Sequence, residues 1–188
     1  MSILAGPALW GRRAIGTARR MSVEPDFSLH PDHALARAAA HELFERTAAI
    51  LRGLLPASAD IRHIGATAVP GCLTKGDLDI VVRVEAADFS AADTAIATLL
   101  ARNTGSTHTT TFSAFEDGGT TPHLGVQLVV AGAPEDCFHT FAETLRRDCD
   151  LLARYNDLKR RHDGHPMDVY RAAKDGFIAQ ALLLHKCS

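Results

Sequence analysis

Residues 63–82 read HIGATAVPGCLTKGDLDIVV, which is an apolar strand pattern, a glycine-bearing turn and a second apolar strand pattern. Asp77 and Asp79 flank a single leucine and lead directly into Ile80, Val81 and Val82. Because alternate side chains of a β-strand project from the same face, both carboxylates are expected on one face of a sheet. Two carboxylates on one face can share a divalent cation, so this stretch predicts a metal site beside a strand.

The segment before this stretch is alanine-rich and has a helical pattern. Over residues 31–55 the apolar side chains recur near helical spacing, and Pro56 ends the pattern. Residues 60–64 are short and apolar enough to form a first strand, which leads into Gly65. We therefore expect a long amphipathic helix followed by a strand that ends at the turn. The apolar helix positions are Leu35, Ala39, Leu43, Phe44, Ile50, Leu51 and Leu54.

The segments after this stretch alternate between strand and helix patterns. Residues 78–84 predict a strand, and residues 88–102 predict a helix that follows it as a crossover would. Residues 107–115 and 123–130 predict an antiparallel pair joined by the turn at 116–119. The predicted fold class is therefore α/β, more closely described as α+β, with a mixed sheet flanked by helices.

The chain from Pro134 onward predicts a helical C-terminal part. The pattern breaks at Gly164-His165-Pro166, and a last helix is expected over residues 168–184. Apolar positions before the break include Phe138, Phe141, Leu145, Leu151 and Leu152. No segment has the composition of an interdomain linker, so residues 21–188 are expected to form a single domain.

Composition narrows the classes of function. The chain has 188 residues, 46% hydrophobic residues and a formal net charge of -2, which permits a sizeable core. The absence of a long basic run and an aromatic content of 6% make nucleic acid an unexpected partner, whereas a small phosphorylated ligand remains possible. No apolar run approaches the roughly 20 residues that span a bilayer. The four cysteines form no CxxC pair, which favours reduced thiols in a cytoplasmic protein.

Residues 1–20 differ from the rest of the chain. They contain four arginines, no acidic residue and Trp10, which is the composition of a transit peptide or a basic arm. Because Met21 follows directly, translation from an upstream start codon accounts for the segment equally well. We expect residues 1–20 to be a disordered or non-native extension.

The turn and the loop after it supply groups that suit phosphate. Gly65 permits backbone geometry closed to other residues, and the amides of Gly65, Ala66 and Thr67 can form a nest for phosphate oxygens. The Thr67 hydroxyl offers another donor, and Lys75 can neutralise phosphate charge. Mg²⁺ held by carboxylates bridges protein to substrate phosphates. This combination predicts transfer of a nucleotidyl group from a nucleoside triphosphate, with no covalent protein nucleophile.

The same stretch resembles the signature of the GrpB family, which has a minimal nucleotidyltransferase fold and reads approximately HIGSTAVPGLxxKPxxDI. The resemblance extends to YNDLK at 155–159 and to YRAAKDGFI at 170–178, and so runs from the first helix to Leu184. It implies Mg²⁺ as cofactor, a nucleoside triphosphate, expected to be ATP, as substrate, and phosphate or substrate roles for Lys159 and Lys174. The matching signature residues are His63, Ile64, Gly65, Thr67, Ala68, Val69, Pro70, Gly71, Lys75, Asp79 and Ile80.

The chain departs from the family pattern at two positions. Ala66 stands where the family usually has a serine that contacts the triphosphate, which weakens the catalytic reading. Asp77 restores the Asp-x-Asp pair of active nucleotidyltransferases, which strengthens the metal reading. Those enzymes usually add a third carboxylate from a neighbouring strand, but residues 123–130 contain none. Gln127 or His123 can take that place, and the general base stays open.

Several of these residues also have purely structural interpretations. His63 suits phosphate contact, proton donation or metal binding, yet a lone histidine is often a hydrogen-bonded structural residue. Lys159 and Lys174 lie on predicted helices, where lysines are normally solvated.

The sequence leaves three functions open. The first is a metal-dependent nucleotidyltransferase in which Asp77, Asp79 and His63 carry the catalysis and the acceptor is a small molecule of unknown identity. The second is a non-catalytic nucleotide- or metabolite-binding module of the same fold. The third is an accessory interaction protein, because relatives of this segment occur fused to a dephospho-CoA kinase. None of the three involves a membrane.

Overall fold

The computed structural model describes residues 25–185, and the extension expected over residues 1–20 lies outside this range. Five strands form one sheet in the order β1-β2-β5-β4-β3. β2 and β5 are parallel and the other neighbouring pairs are antiparallel, so the predicted mixed sheet is confirmed. The strands are β1 (Asp60–Ile64), β2 (Leu78–Val84), β3 (Ala101–Arg102), β4 (Phe112–Asp117) and β5 (Leu124–Val130).

Five α-helices flank the sheet within the described range. Three of them follow the last strand, which confirms the helical C-terminal part, and the break before the last helix falls at residues 163–166. Two short 3₁₀ helices, Ala66–Ala68 and Ala86–Asp88, follow β1 and β2. The α-helices are α1 (His33–Leu54), α2 (Phe89–Ala97), α3 (Phe138–Arg147), α4 (Cys149–His162) and α5 (Met167–His185).

Helix α1 packs through its alanines. Its N-cap is Asp32, whose carboxylate accepts the amides of Ala34 and Leu35 at 3.0 and 2.9 Å. Small side chains let the helix lie close to the strands, and Leu43 and Leu51 add larger apolar side chains to the core. The predicted apolar positions Leu35, Ile50 and Leu54 are exposed. The buried residues are Ala36, Ala40, Leu43, Ala48 and Leu51.

Two expected element boundaries are shifted. The helix expected over 88–102 ends at Ala97, and its last residues form the short edge strand β3 instead. The strand expected to begin at residue 107 begins at Phe112, and it extends through Glu116 and Asp117, which the sequence assigned to a turn. The first shift adds an edge strand to the sheet, and the second moves β4 toward the turn and shortens it.

The two faces of the sheet are covered differently. Helices α1 and α2 pack on the face that carries Ile80, Val82, Val126 and Leu128. On the opposite face Phe138 of α3 packs against a smaller cluster, Ile64, Val81, Phe112 and Val129. Strand alternation places Asp79 and Arg83 on this α3 face, together with Val81. Within residues 25–185 no helix has the length and apolarity that crossing a bilayer requires.

Candidate active site

The turn after β1 is built on Gly65. Gly65 has φ 73°, in the left-handed region, and the chain then enters the 3₁₀ turn Ala66–Ala68. A Cβ at this position would lie 3.0 Å from Cβ and Cγ of Asp79 and closer still to its Oδ2. Glycine is therefore required twice, for the backbone conformation and because the turn packs directly on the Asp79 carboxylate.

Asp79 lies between two strands that give it room. Its register partners are Ile64 on β1 and Gly125 on β5. A Cβ at Gly125 would lie 3.4 Å from Oδ1 of Asp79, so the absent side chain leaves one flank of the carboxylate open. With Gly65 against Oδ2 and Gly125 beside Oδ1, both oxygens of Asp79 face glycine backbone.

Asp77 lies one residue before β2 and is held by the loop. Its Oδ2 is 2.5 Å from Nζ of Lys75, and its carbonyl oxygen accepts the Thr67 hydroxyl at 2.9 Å. The alternate spacing around Leu78 places Asp77 on the same side as Asp79, as the sequence predicts. Burial raises the pKa of Asp79, and charge repulsion from Asp77 adds to that rise.

The charges around Asp79 oppose one another. Burial raises the pKa of Asp79, and the Lys174 ammonium works against this rise. Burial lowers the pKa of Lys174 to about 8, and the charge of Asp79 works against that fall. The structure thus brings Lys174, which is distant in the sequence, near the two carboxylates and Lys75. Such mutual perturbation of buried charges is common at functional sites.

His63 and Thr67 form a hydrogen-bonded chain behind the turn. His63 Nε2 is 3.0 Å from the Thr67 hydroxyl. That hydroxyl has one proton, which it donates in a hydrogen bond to the Asp77 carbonyl. His63 therefore donates from Nε2. Burial lowers its pKa to about 4, so the ring is neutral near pH 7. Its ring stacks on Phe44 of α1 at 5.2 Å, on the face opposite Asp79. The hydroxyl of Thr67 is engaged inside the protein, and the catalytic role of His63 stays a prediction.

Lys159 lies inside the protein. Its side chain is 2% exposed, and its ammonium donates to the Leu73 carbonyl at 2.5 Å and contacts Cys72 Sγ at 3.1 Å. Burial lowers its pKa. One turn earlier on α4, Asn156 accepts the Leu73 amide at 2.8 Å and donates to the Gly71 carbonyl at 2.9 Å. Both side chains hold the loop that carries Lys75 and Asp77, so Lys159 is engaged in structural contacts and its phosphate role stays a prediction.

Strand β5 brings Gln127 and His123 to the α3 face. Gln127 shares the face of Gly125, and its buried Oε1 has no hydrogen-bond partner among the described residues. His123 lies just before β5, with Nε2 3.7 Å from Oε2 of Glu116. Sequence reasoning missed Glu116, which was assigned to a turn, and Asn156, which has no ionisable group. Two features of the sequence could have indicated them. The strand pattern could have been extended through Glu116, and the motif YNDLK places Asn156 one helical turn before Lys159.

A divalent cation fits the donors at this site. Asp77 and Asp79 offer carboxylate oxygens, which Mg²⁺ prefers, on one side of β2, and the raised pKa of Asp79 shows that a nearby positive charge would stabilise its ionised form. Residues 25–185 contain no group of three or more histidine, cysteine, aspartate or glutamate side chains placed to hold a metal. A cation here would therefore complete its coordination with water and substrate oxygens.

Comparisons with known proteins agree on one family. The family model described as "GrpB protein" matches residues 36–183. A UPF0157 protein of Vibrio cholerae is 30% identical over 146 residues, covering 78% of this chain and 77% of that protein.

Solved structures show the fold. The crystal structure of the conserved protein GrpB from Enterococcus faecalis superposes with a TM-score of 0.61 at 22% identity, over 76% of this chain and 90% of that one. Cid1 poly(U) polymerase with MgGTP bound gives a TM-score of 0.43 at 8% identity, over 63% of this chain and 39% of its own, a likeness too weak to support an argument. The family match, the Vibrio relative and the shared fold together show that this chain belongs to the GrpB family.

Proposed function

We propose that this GrpB-family protein is a metal-dependent nucleotidyltransferase that moves a nucleotidyl group from a nucleoside triphosphate, expected to be ATP, to a small-molecule acceptor. The observation that carries the proposal is the pair Asp77 and Asp79, set on one side of β2 against the Gly65 turn, with Lys75 and Lys174 beside them. Carboxylates for a cation and cations for phosphate are the two requirements of phosphoryl-transfer sites.

Different residues of the site would bind the metal ion and the phosphates. Asp77 and Asp79 would hold Mg²⁺, which when bound neutralises developing charge on the phosphates. Lys75 and Lys174 offset the remaining phosphate charge. The first amides of the turn at Gly65 supply donors, because the opening amides of a helical turn lack acceptors within it. Ala66 has no hydroxyl and the Thr67 hydroxyl is engaged, so phosphate recognition at the turn falls to the backbone.

A second function is favoured by specific observations. Thr67 donates inside the protein, and β5 presents Gly125 and Gln127 where a third carboxylate would stand. Both features suit a non-catalytic module that binds a nucleotide or another phosphorylated metabolite. Fold similarity alone does not separate the two functions.

A cytoplasmic location belongs to the same proposal. Cys72, Cys137 and Cys149 are free thiols in the described range. Reduced thiols are typical of a compartment kept reducing by glutathione and thioredoxin.

Calorimetric titration of the full chain with ATP, GTP, CTP and UTP, each with and without Mg²⁺, tests the proposal. We expect Mg²⁺-dependent binding that is lost in the Asp77→Asn/Asp79→Asn double variant. Asp157→Asn is the matched control, because it removes an exposed carboxylate whose ion pair within residues 25–185 is with Arg160 in the same helix, at 2.6 Å. Binding that is independent of Mg²⁺ and survives the double variant would favour the non-catalytic module. Absence of binding with all four nucleotides would contradict the transferase and would restrict the second function to a module that binds another phosphorylated metabolite.

A further inference from the structure

Strand register places His123 beside the two carboxylates. The Leu78 amide donates to the His123 carbonyl at 2.9 Å, and Leu78 is the register partner of Leu124. The residues just before these partners, Asp77 and His123, therefore lie side by side where β2 and β5 begin. Alternation along β5 puts His123 on the face of Gly125, which is the face of Asp79. A positive charge on His123 would lower the pKa of Asp79, against the larger effect of burial, which raises it.

Glu116 approaches the same place from the next strand. On β4 it is the register partner of Gly125, so Asp79, Gly125 and Glu116 form one row across three strands with a glycine in the middle. Glu116 Oε2 is 3.7 Å from His123 Nε2 and accepts Asn103 Nδ2 at 3.1 Å. The Glu116 carboxylate is thus held on one side by an amide and faces the imidazole on the other.

This pair is open to a substrate. The side chains of His123 and Glu116 are 43% and 37% exposed. The space above Gly125 lies between Glu116 and Asp79, and the Gln127 amide borders it, because Nε2 of Gln127 would lie 3.5 Å from a Cβ at Gly125. A small acceptor seated over Gly125 would contact the imidazole on one side and the carboxylate that holds the cation on the other.

Three other polar side chains at the site are engaged or unsuited to accept a proton. Asp77 is paired with Lys75, and His63 donates to Thr67 on the opposite face. Gln127 carries an amide, which is not a base. An imidazole with a carboxylate near one ring nitrogen suits a general base, because the carboxylate stabilises the imidazolium that forms. At 3.7 Å Glu116 acts on His123 through charge and not through a hydrogen bond.

We propose that His123 is the general base of this site, that Glu116 positions it, and that the acceptor is therefore a small molecule with a hydroxyl group. This inference rests on the function proposed above. His123 takes the proton from the acceptor hydroxyl, the oxygen forms a bond to the α-phosphorus, and the bond from that phosphorus to the bridging oxygen breaks. Pyrophosphate leaves with the electron pair. An acceptor carboxylate is already ionised near neutral pH and would need no base.

The test measures nucleotide affinity and pyrophosphate release separately. The full chain is given Mg²⁺ and ATP with water alone, with a panel of sugars and polyols, or with a panel of simple carboxylates. The variants are His123→Ala, Glu116→Gln and the matched control His108→Ala. His108 lies 3.7 Å from Asp93, the same separation as in the proposed pair, but Asp93 belongs to α2, which packs on the opposite face.

We expect pyrophosphate release with hydroxyl acceptors to fall about a hundredfold or more in His123→Ala and about tenfold in Glu116→Gln. The dissociation constant for Mg–ATP should stay within about twofold in both variants. Added imidazole should restore part of the activity of His123→Ala, which a purely structural role would not allow. His108→Ala should match the parent protein in every measurement.

Different outcomes separate this inference from the proposed function. If the parent protein transfers only to carboxylates, or if His123→Ala keeps its rate within about threefold, the transferase stands and the general-base assignment falls. If His123→Ala loses Mg–ATP binding as much as rate, His123 is a binding residue and the assignment also falls. If the parent protein binds Mg–ATP but releases no pyrophosphate with any hydroxyl acceptor, the base is overturned and binding remains. If the parent protein does not bind nucleotide, both proposals fail.

Discussion

Both ends of strand β2 carry charged side chains on the same face, Asp79 at the start, or near end, and Arg83 at the far end. The charge is paired with opposite charges at the far end and buried with less compensation at the near end. At the far end Arg83 makes a two-point pair with Asp136, at 2.6 and 2.7 Å, and also contacts Asp60 at 2.8 Å. Arg62 extends this network to Glu143 at 3.0 Å. At the near end Asp79 packs against glycines and shares its surroundings with a second carboxylate.

The pKa directions express this difference. At the far end Arg62 and Arg83 lower the pKa of Asp60, and Arg83 and the Gly132 amide outweigh burial to lower that of Asp136. At the near end burial raises the pKa of Asp79 and lowers that of Lys174. At the far end, called the closed end below, the charged side chains of Arg83, Asp136 and Asp60 are paired and stabilise the fold. At the near end, called the open end, burial disfavours the charged forms of Asp79 and Lys174, and a bound ligand can relieve that destabilisation.

Breaking the closed end should have the largest effect. Asp136→Ala removes one of the two carboxylate partners of Arg83 and an acceptor of the Gly132 amide, and should lower the free energy of unfolding by about 3 kcal/mol. Nucleotide affinity of the folded protein should not change. Denaturant unfolding and calorimetry measure the two quantities. Glu143→Gln is the control in the same network, and should cost less than about 1 kcal/mol because its pair with Arg62 is more exposed.

Crowding the open end should come next. Gly65→Ala places a methyl group against Asp79 at a positive φ, and should destabilise the protein by about 2 to 3 kcal/mol. Gly125→Ala is the matched variant, because its φ is unstrained and its Cβ would lie 3.4 Å from Asp79 Oδ1. It should fold nearly as well and bind nucleotide more weakly. Equal stability of the two variants in chemical denaturation would show that the turn is not held against Asp79.

Neutralising the open end should separate stability from binding. Asp79→Asn removes a charge that burial disfavours, so the melting temperature should rise slightly while the affinity for Mg–nucleotide falls at least about thirtyfold. Thermal unfolding without ligand and calorimetric titration measure the two effects. A fall in melting temperature would mean that the Asp79 charge is compensated in the folded protein as fully as that of Asp136.

The smallest effect is the pH dependence of stability. Lys174 has a folded pKa of about 8 against about 10.4 when unfolded, so the unfolded chain binds more protons between these values and stability rises with pH. Tyr155 and Tyr170, whose pKa values burial raises, reverse the trend above about pH 10. From about pH 8 to 9.5 the slope should be at most about 1.4 kcal/mol per pH unit for one proton.

Lys174→Met isolates this contribution. Burial also lowers the pKa of Lys159, which should leave a residual slope in the variant. Urea unfolding at several pH values measures both proteins. An identical slope in the parent protein and in Lys174→Met would show that Lys174 is not the buried lysine that responds. On the acid side, stability from Asp60 and Asp136 should be lost as pH falls below about 4, because their folded pKa values are lowered.

Local patterns predicted the scaffold of the open end well. The strand at Asp60–Ile64, the turn at Gly65 and the strand at Leu78–Val84 each follow from neighbouring residues, and so does the side shared by Asp77 and Asp79. The burial of α1 followed only in part from its apolar pattern, since Leu43 and Leu51 are buried as expected. A helix that lies close to a sheet buries alanines, while Leu35, Ile50 and Leu54 stay outside.

The sequence did not predict the direction in which a polar side chain points, or the pairing of residues that lie far apart in the chain. A motif lysine or threonine can donate outward to a ligand or inward to the chain, and the sequence does not tell which. Lys159 and Thr67 donate inward. Arg83 and Asp136 lie 53 residues apart, with no local signal of their pairing. The position of His123 and Gln127 relative to Asp79 depends on the register of β5 against β2, which becomes visible only in three dimensions.

The amide of Asn156 makes the site loop sensitive to the exchange of a single atom. One end of the amide accepts the Leu73 N–H and the other donates to the Gly71 C=O, so the two bonds have opposite polarity. Aspartate has nearly the same shape, but it would set a negative oxygen against the Gly71 carbonyl. Leucine would fill the space and leave two backbone groups without partners. Helix α4 therefore acts as a template for residues 71–73, and its asparagine has no conservative substitute.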